Sequence, residues 1–280
     1  MDWKRAKTIL ILAFFMLNIV LAVTLYNNLK GEEISQQTIT NTVTILAQND
    51  VKIECPIPKY TGSDYILKYE EKSLESKTLI CDVLLGEGYT KADNFVYKNG
   101  SKSLVFRGDS GFDFYDSGVN NFLTSSREED IVKYINTISE ELGIPLEEFK
   151  QDDYYPDIKA GNETRLVYKG QYKGYTVFDN YIDVESSKNS IKSIKYHYNR
   201  PISVTAKEDI EVIPVYKILI TEVINYPGIM IKNIDKGFKG YNNDDLGTKT
   251  LYESEGLCWR IKTETGEEYY FNARNGVAME

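Results

Sequence analysis

A single histidine, three cysteines and the lack of any glycine-rich phosphate loop leave this 280-residue chain short of most catalytic equipment. A Ser-His-Asp or Cys-His mechanism would have to run through His197, which alternates with tyrosines in Lys195-Tyr196-His197-Tyr198 and reads as a surface or edge position of a strand. Zinc sites draw on several His or Cys ligands, and Cys55, Cys81 and Cys258 lie far apart with no CxxC spacing. Buried thiols are favoured over a lone Cys55–Cys81 bridge, because an odd count cannot pair completely. Gly-Lys-Ser/Thr and GxGxxG loops are both missing. A basic surplus is lacking too: the net charge of −9 argues against nucleic acid, anionic lipid surfaces and polyanionic wall polymers as partners.

Acidic residues are plentiful, and three groupings invite a functional reading. Asn242-Asn243-Asp244-Asp245 and the stretch from Asp109 to Asp116 are rich in oxygen ligands, yet neither follows the EF-hand ladder. Both read as solvated loops. Glu147-Glu148 and Asp152-Asp153 are paired carboxylates of the kind glycosidases use. Such pairs are expected by chance in a chain with 42 acidic residues. The sequence therefore points to no catalytic residue, no cofactor site and no metal site.

Charge is absent altogether from Thr8 to Tyr26. A helix over that run spans roughly 28 Å, close to the ~30 Å hydrocarbon core of a bilayer. Leu, Ile, Phe and Val make up most of it, and their summed insertion free energy, on the order of −4 to −7 kcal/mol, absorbs the one Asn at position 18. Trp3 and Tyr26 flank the run as interface-seeking aromatics, and Lys4, Arg5 and Lys7 place the N-terminus in the cytoplasm. A cleaved signal peptide would have a shorter apolar stretch and an Ala-x-Ala-like site, which Ala22-Val23-Thr24 matches poorly. The expectation is a cytoplasmic tail over 1–7, a transmembrane helix over 8–26, a linker over 27–33 and an extracytoplasmic remainder. At 100° per residue Asn18, Ala22 and Leu25 share one face of the helix. They form a candidate partner contact within the lipid bilayer, where an interhelical hydrogen bond is worth roughly 0.6–2 kcal/mol.

The exported chain alternates between periods of 3.6 and 2. Helices are predicted over 34–49, 76–85, 128–142 and 210–225, with Ser126 as a capping residue for the third and Pro214 in the first turn of the fourth. Strands are predicted at 51–55, 64–69, 94–97, 103–106, 112–115, 164–168, 172–178, 181–185, 191–198, 257–263 and 268–272. The abundant tyrosine, 22 residues, belongs to such sheets. The polar loop 117–126 reads as a boundary. The expected fold class is α+β: two extracytoplasmic domains, 34–120 and 121–280, each an antiparallel sheet with helices on one face.

The opening Met1-Asp2-Trp3-Lys4-Arg5-Ala6-Lys7-Thr8-Ile9, running into Phe14-Phe15-Met16-Leu17-Asn18-Ile19, resembles the start of the YycI family of Gram-positive regulatory proteins. Leu142-Gly143-Ile144 and the closing Cys258-Trp259-Arg260-Ile261 with Tyr269-Tyr270-Phe271-Asn272-Ala273 fit the same family. The closing pattern is also similar to YycH-like and PepSY-like sheets. The resemblance implies a non-catalytic membrane partner of a sensor histidine kinase of the YycG/WalK type, working with a YycH-like protein to tune cell-wall metabolism. It implies a signalling contact largely in the membrane helix, with the outer region joining the YycH-like protein. Two other classes stand beside it: an anchored extracellular binder of peptide or wall ligands, and, more weakly, a wall hydrolase.

Overall fold

The structure, a computed structural model, describes residues 7, 11–21, 34–70, 76–120, 122–125, 127–155, 163–240 and 255–279. Residues 11–21 are helical (α1). Then follow α2 (Gln36–Gln48), β1 (Lys52–Ile53), β2 (Ser63–Tyr69), α3 (Lys77–Leu85), β3 (Thr90–Asp93), β4 (Val96–Asn99), β5 (Lys102–Arg107) and β6 (Gly111–Asp116). The second half holds α4 (Glu128–Leu142), β7 (Phe149–Tyr155), β8 (Glu163–Tyr172), β9 (Tyr175–Ser187), β10 (Ser190–His197) and β11 (Pro201–Glu211). It closes with α5 (Val215–Thr221), β12 (Met230–Lys239), β13 (Glu255–Thr263), β14 (Glu268–Asn272) and β15 (Ala278–Met279). The fold is α+β with mostly antiparallel strand pairs, as expected; β1–β12 and β12–β9 are parallel. Contacts divide the chain into two units that interleave along the sequence. One takes Met1–Asp64, Lys207–Asp235 and Trp259–Met279, the other Tyr65–Ala206 and Lys236–Cys258.

Helix ends follow local chemistry. Ser35 Oγ accepts the Thr38 N–H at 3.0 Å and Ser76 Oγ accepts the Leu79 N–H at 3.1 Å, each satisfying a donor that the first turn leaves open. α4 spans Glu128–Leu142 as predicted, but its capping residue is corrected: the cap is Arg127, which makes no side-chain capping bond, and Ser126 lies outside the described residues. The last predicted helix is shorter than 210–225. Val212 N–H donates to Gly62 O and Ile213 N–H to Ala273 O, so these backbones are engaged before Pro214 can open α5.

The larger unit is built on a row of aligned rungs. Leu166, Val184, Ile194, Phe114, Leu104 and Tyr97 stand opposite one another in turn across β8, β9, β10, β6, β5 and β4. Two residues along, Tyr168, Ile182, Tyr196, Phe112 and Phe106 form a second row. Because side chains alternate with a period of two, both rows project from the same sheet face. Onto that face pack Ile80, Cys81, Leu84 and Leu85 of α3 and Ile131 and Ile135 of α4. Several tyrosines thus serve as core rungs instead of half-exposed sheet positions; Tyr168 and Tyr196 are both buried. The opposite face carries charge, as in the fork of Arg165 on Asp183 at 2.9 and 2.7 Å.

In the smaller unit α2 packs on α5, and β1 pairs in parallel with β12. Trp259 is fully buried, donates from Nε1 to Ile213 O at 2.9 Å and meets Tyr60 edge-on. Arg260, also buried, grips Asp235 through two nitrogens at 2.9 and 2.6 Å and Glu268 at 2.9 Å. β13 and β14 join through a turn at Gly266, whose φ of 81° suits glycine.

The polar loop after β6 is tied down. Asp116 accepts from Ser101 Oγ at 2.7 Å, Gly118 N–H at 2.8 Å and Asn120 Nδ2 at 2.9 Å, while Asn120 itself brackets the backbone of Ile191. Burial opposes ionisation of Asp116, but the hydrogen bonds from Ser101, Asn120 and Gly118 outweigh it and hold the carboxyl below its ordinary 3.8. Its folded value being depressed, its contribution is complete above the unfolded value and is lost as pH falls through the folded one. Asp116→Asn should cost roughly 2 kcal/mol at neutral pH. In urea titrations the gap between the two proteins should close below about pH 3.8; a gap that does not vary with pH would contradict this assignment.

Candidate functional site

The clearest concavity among the described residues grows out of the way α4 stops. Its last turn carries Glu140 and Glu141 and no basic residue. Gly143 then adopts a left-handed φ of 67°, and Ile144 N–H donates to Ser139 O at 2.8 Å, a glycine-terminated cap. Pro145 leads into one 3₁₀ turn, Leu146–Glu148, which brings Glu147 and Glu148 back beside the helix end. Four carboxylates thus gather where the helix macrodipole is already negative, an arrangement that disfavours them by up to about 1 kcal/mol each.

The N-terminal turn of α3 (Ser76, Leu79, Ile80) and Asp109 of the β5–β6 turn enclose the opposite side, giving a cleft of about 530 Å³. Phe112, Tyr196 and Tyr198 line it as well. The Phe112 and Tyr196 rings lie 5.4 Å apart, and Tyr196 and Tyr198 stack at 6.5 Å with planes 25° apart. The Tyr198 hydroxyl donates to Glu148. Burial, then Glu148, pushes the Tyr196 and Tyr198 hydroxyls above the ordinary phenol range, so both remain donors. Asp109 is paired with Lys77 at 2.8 Å and Arg200 with Glu70 at 3.3 Å. Glu140, Glu141 and Glu147 form no ion pair among the described residues.

The residues singled out from sequence are scattered. His197 is held at both nitrogens: Nδ1 donates to Asp179 O at 2.7 Å, which leaves Nε2 to accept from Ser110 Oγ at 2.9 Å, and the ring stacks on Tyr181. It fastens β10 to the strand on one side and to the turn before β6 on the other. Of the stretch 109–116, read as a solvated loop, the exposed Asp109 and Ser110 lie in the turn before β6, and the rest belongs to β6, which takes in the strand predicted at 112–115. Asp109 pairs with Lys77, Asp113 bonds Arg107 at 2.7 Å and Asp116 accepts from Ser101. Asp152 and Asp153 are half-buried at a bulge in β7, and 242–245 lie outside the described residues. Cys55, Cys81 and Cys258 are thiols; burial raises Cys81 to about 11.

In the membrane run, Asn18 is on α1 and donates from Nδ2 to Phe14 O at 2.8 Å, within its own helix. Lys7 is helical and exposed, whereas Lys4, Arg5, Ala22 and Leu25 lie outside the described residues. No helix of the described residues is long and apolar enough to cross a membrane. Glu147-Glu148 was visible in the sequence only as a lone acid pair. Its partners were signalled by the repeat Glu-Glu-Leu-Gly-Ile-Pro-Leu-Glu-Glu over 140–148, whereas the aromatic side comes from strands far away in the chain.

The model of the YycI protein family matches residues 29–274. The chain belongs to the YycI family. No curated protein matches it. Among solved structures it is similar to an uncharacterized protein from Eubacterium rectale ATCC 33656, at 10% identity, with 86% of this chain and 98% of that chain covered and a TM-score of 0.49. YycI is a regulatory family, linked to the YycG/WalK kinase system, and this YycI-family chain carries its acidic cleft in the larger of its two units.

The crowding of acids at the end of α4 has a measurable cost. Glu141→Lys should stabilise the fold by roughly 0.5–1 kcal/mol through the helix dipole, seen as a higher urea midpoint by far-UV circular dichroism. An unchanged or lower midpoint would mean the acids are compensated locally.

Proposed function

We propose that this chain is a membrane-anchored accessory of a sensor histidine kinase of the YycG/WalK type, with no catalytic activity of its own. It works together with a YycH-like protein through contacts made by its membrane helix and its outer region, and so adjusts cell-wall metabolism. The single observation that carries this reading is the YycI match over residues 29–274. In this reading residues 8–26 cross the membrane once, Lys4, Arg5 and Lys7 keep the N-terminus cytoplasmic, and the remainder is extracytoplasmic.

The apolar surface of α1 supports it. Ile11, Leu12, Phe14, Phe15, Met16, Leu17, Ile19, Val20 and Leu21 are each between 45% and 67% exposed. A helix apolar on every side is a stable object only in a bilayer or inside a larger core. The Asn18 carboxamide bonds its own backbone through one N–H, which leaves its carbonyl oxygen and second N–H for a neighbouring helix. Ala22, one turn on, permits close approach. The cleft gives some weight to the second reading, an anchored extracellular binder of peptide or wall ligands. Saturable muropeptide binding by the full chain with no effect on any kinase would favour that alternative.

Asn18→Leu should insert normally and weaken co-purification with the kinase from membranes by about threefold to thirtyfold, the equivalent of one interhelical hydrogen bond. Full retention of the kinase would remove Asn18, Ala22 and Leu25 from the contact.

A further inference from the structure

We propose that the cleft at the C-terminal end of α4 receives a lysine- or arginine-bearing segment of a partner protein. Charge supplies the first reason. Glu140, Glu141 and Glu147 stand on one rim, beside the negative pole of a helix and without an ion pair among the described residues. Of the described cations near the cleft, Arg200 is committed to Glu70 and Lys77 to Asp109. A cation brought by a partner would supply the countercharge.

Shape and apolarity supply the second. Tyr198, half-buried, presents ring surface in the cleft above the buried Phe112 and Tyr196, and Leu79 on the opposite side is 43% exposed. A lysine or arginine side chain suits this pairing: its alkyl stem would lie on Tyr198 and Leu79 while its head reaches carboxylate, and a ring face itself attracts the cation. A metal ion would leave the rings unused, and an anion would be repelled. The volume, about 530 Å³, holds several side chains, and pockets of this size bind extended groups, not single ions. Arginine adds a planar fork that bonds two carboxylate oxygens at once. The net charge of −9 extends the attraction beyond contact distance and favours capture of basic segments over acidic ones.

The inference rests on the accessory reading only in taking the cation to be carried by a protein. Its test uses no kinase, so a failed cleft leaves the membrane contact standing, and a failed membrane contact leaves the cleft standing.

The full chain in detergent micelles is titrated against a fluorescein-labelled peptide, Gly-Lys-Leu-Arg-Lys-Gly, with empty micelles as the blank and anisotropy as the readout. The basic peptide should bind saturably and release at high salt, and its counterpart with glutamate at the basic positions should not bind. The variant E140Q/E141Q/E147Q should bind about tenfold more weakly. The variant E87Q/E129Q/E211Q removes the same charge elsewhere on the surface and should bind within about twofold of the parent. Equal losses in the two variants, no binding of the basic peptide, or equal binding of the acidic one would overturn the proposal. So would displacement of the peptide by free spermidine at equal concentration, which would make the site one for small polyamines.

Discussion

The larger unit depends on β9. That strand is 13 residues long and is hydrogen-bonded to β8 on one side and β10 on the other, with β12 alongside its first residues. A strand paired on both edges cannot slip by one residue without turning every core side chain to the wrong face. Phe178, Ile182 and Val184 are buried, and that fixes the rungs on β10 and, through them, Phe112 and Phe114 on β6. Gly170, paired with Val177 and pressed against Asn180, shows how tight the constraint is: a Cβ at Gly170 would come within 2.6 Å of the Asn180 Cβ. The ladder shifts at that point, between Lys169 and Gly170, and Asn180 turns its amide to the backbone of Asn199.

The cleft follows from that register. Tyr196 is a core rung, and Tyr198, two residues on, continues the same face past the end of β10. The end of α4 lies over it because Ile131 and Ile135 seat the helix on the rungs. Acids at such a helix end work against local stability. The rigid ladder tolerates them because sheet pairing and core packing, not the last turn of α4, hold the unit together. An electrostatically unfavourable feature on a strongly determined frame is the usual form of a binding surface.

Much of this was legible in the sequence, for reasons that can be named. The stripe Ile131, Ile135, Ile138 and the stop at Gly143 set α4, and Asn99-Gly100 marks the turn between β4 and β5. Five strands were not legible, the two-residue β15 among them. β3 is exposed at every position and shows no alternation; β7, β11 and β12 mix charge with apolar residues because their partners, not their own pattern, define them. The parallel pairing of Lys52 with Met230 joins positions 178 residues apart, which no local period can report. The same holds for the cleft, whose acids are adjacent in sequence while its aromatic side arrives from β6 and β10. The family resemblance was carried by the N-terminal motif, and the match to the YycI model over 29–274 rests on residues beyond it.

An apolar helix exposed on every side and an acidic cleft in the larger unit are two surfaces suited to contact, in a chain of a regulatory family. We propose that contact, not chemistry, is the product of this fold. The most direct measurement is the autophosphorylation rate of the cognate sensor kinase in proteoliposomes, alone, with the full chain, and with a chain in which residues 8–26 are replaced by a leucine-rich helix of equal length. The full chain should shift the rate severalfold in one direction, and the chain with the replaced helix should shift it little. A rate that the full chain leaves untouched would contradict the claim.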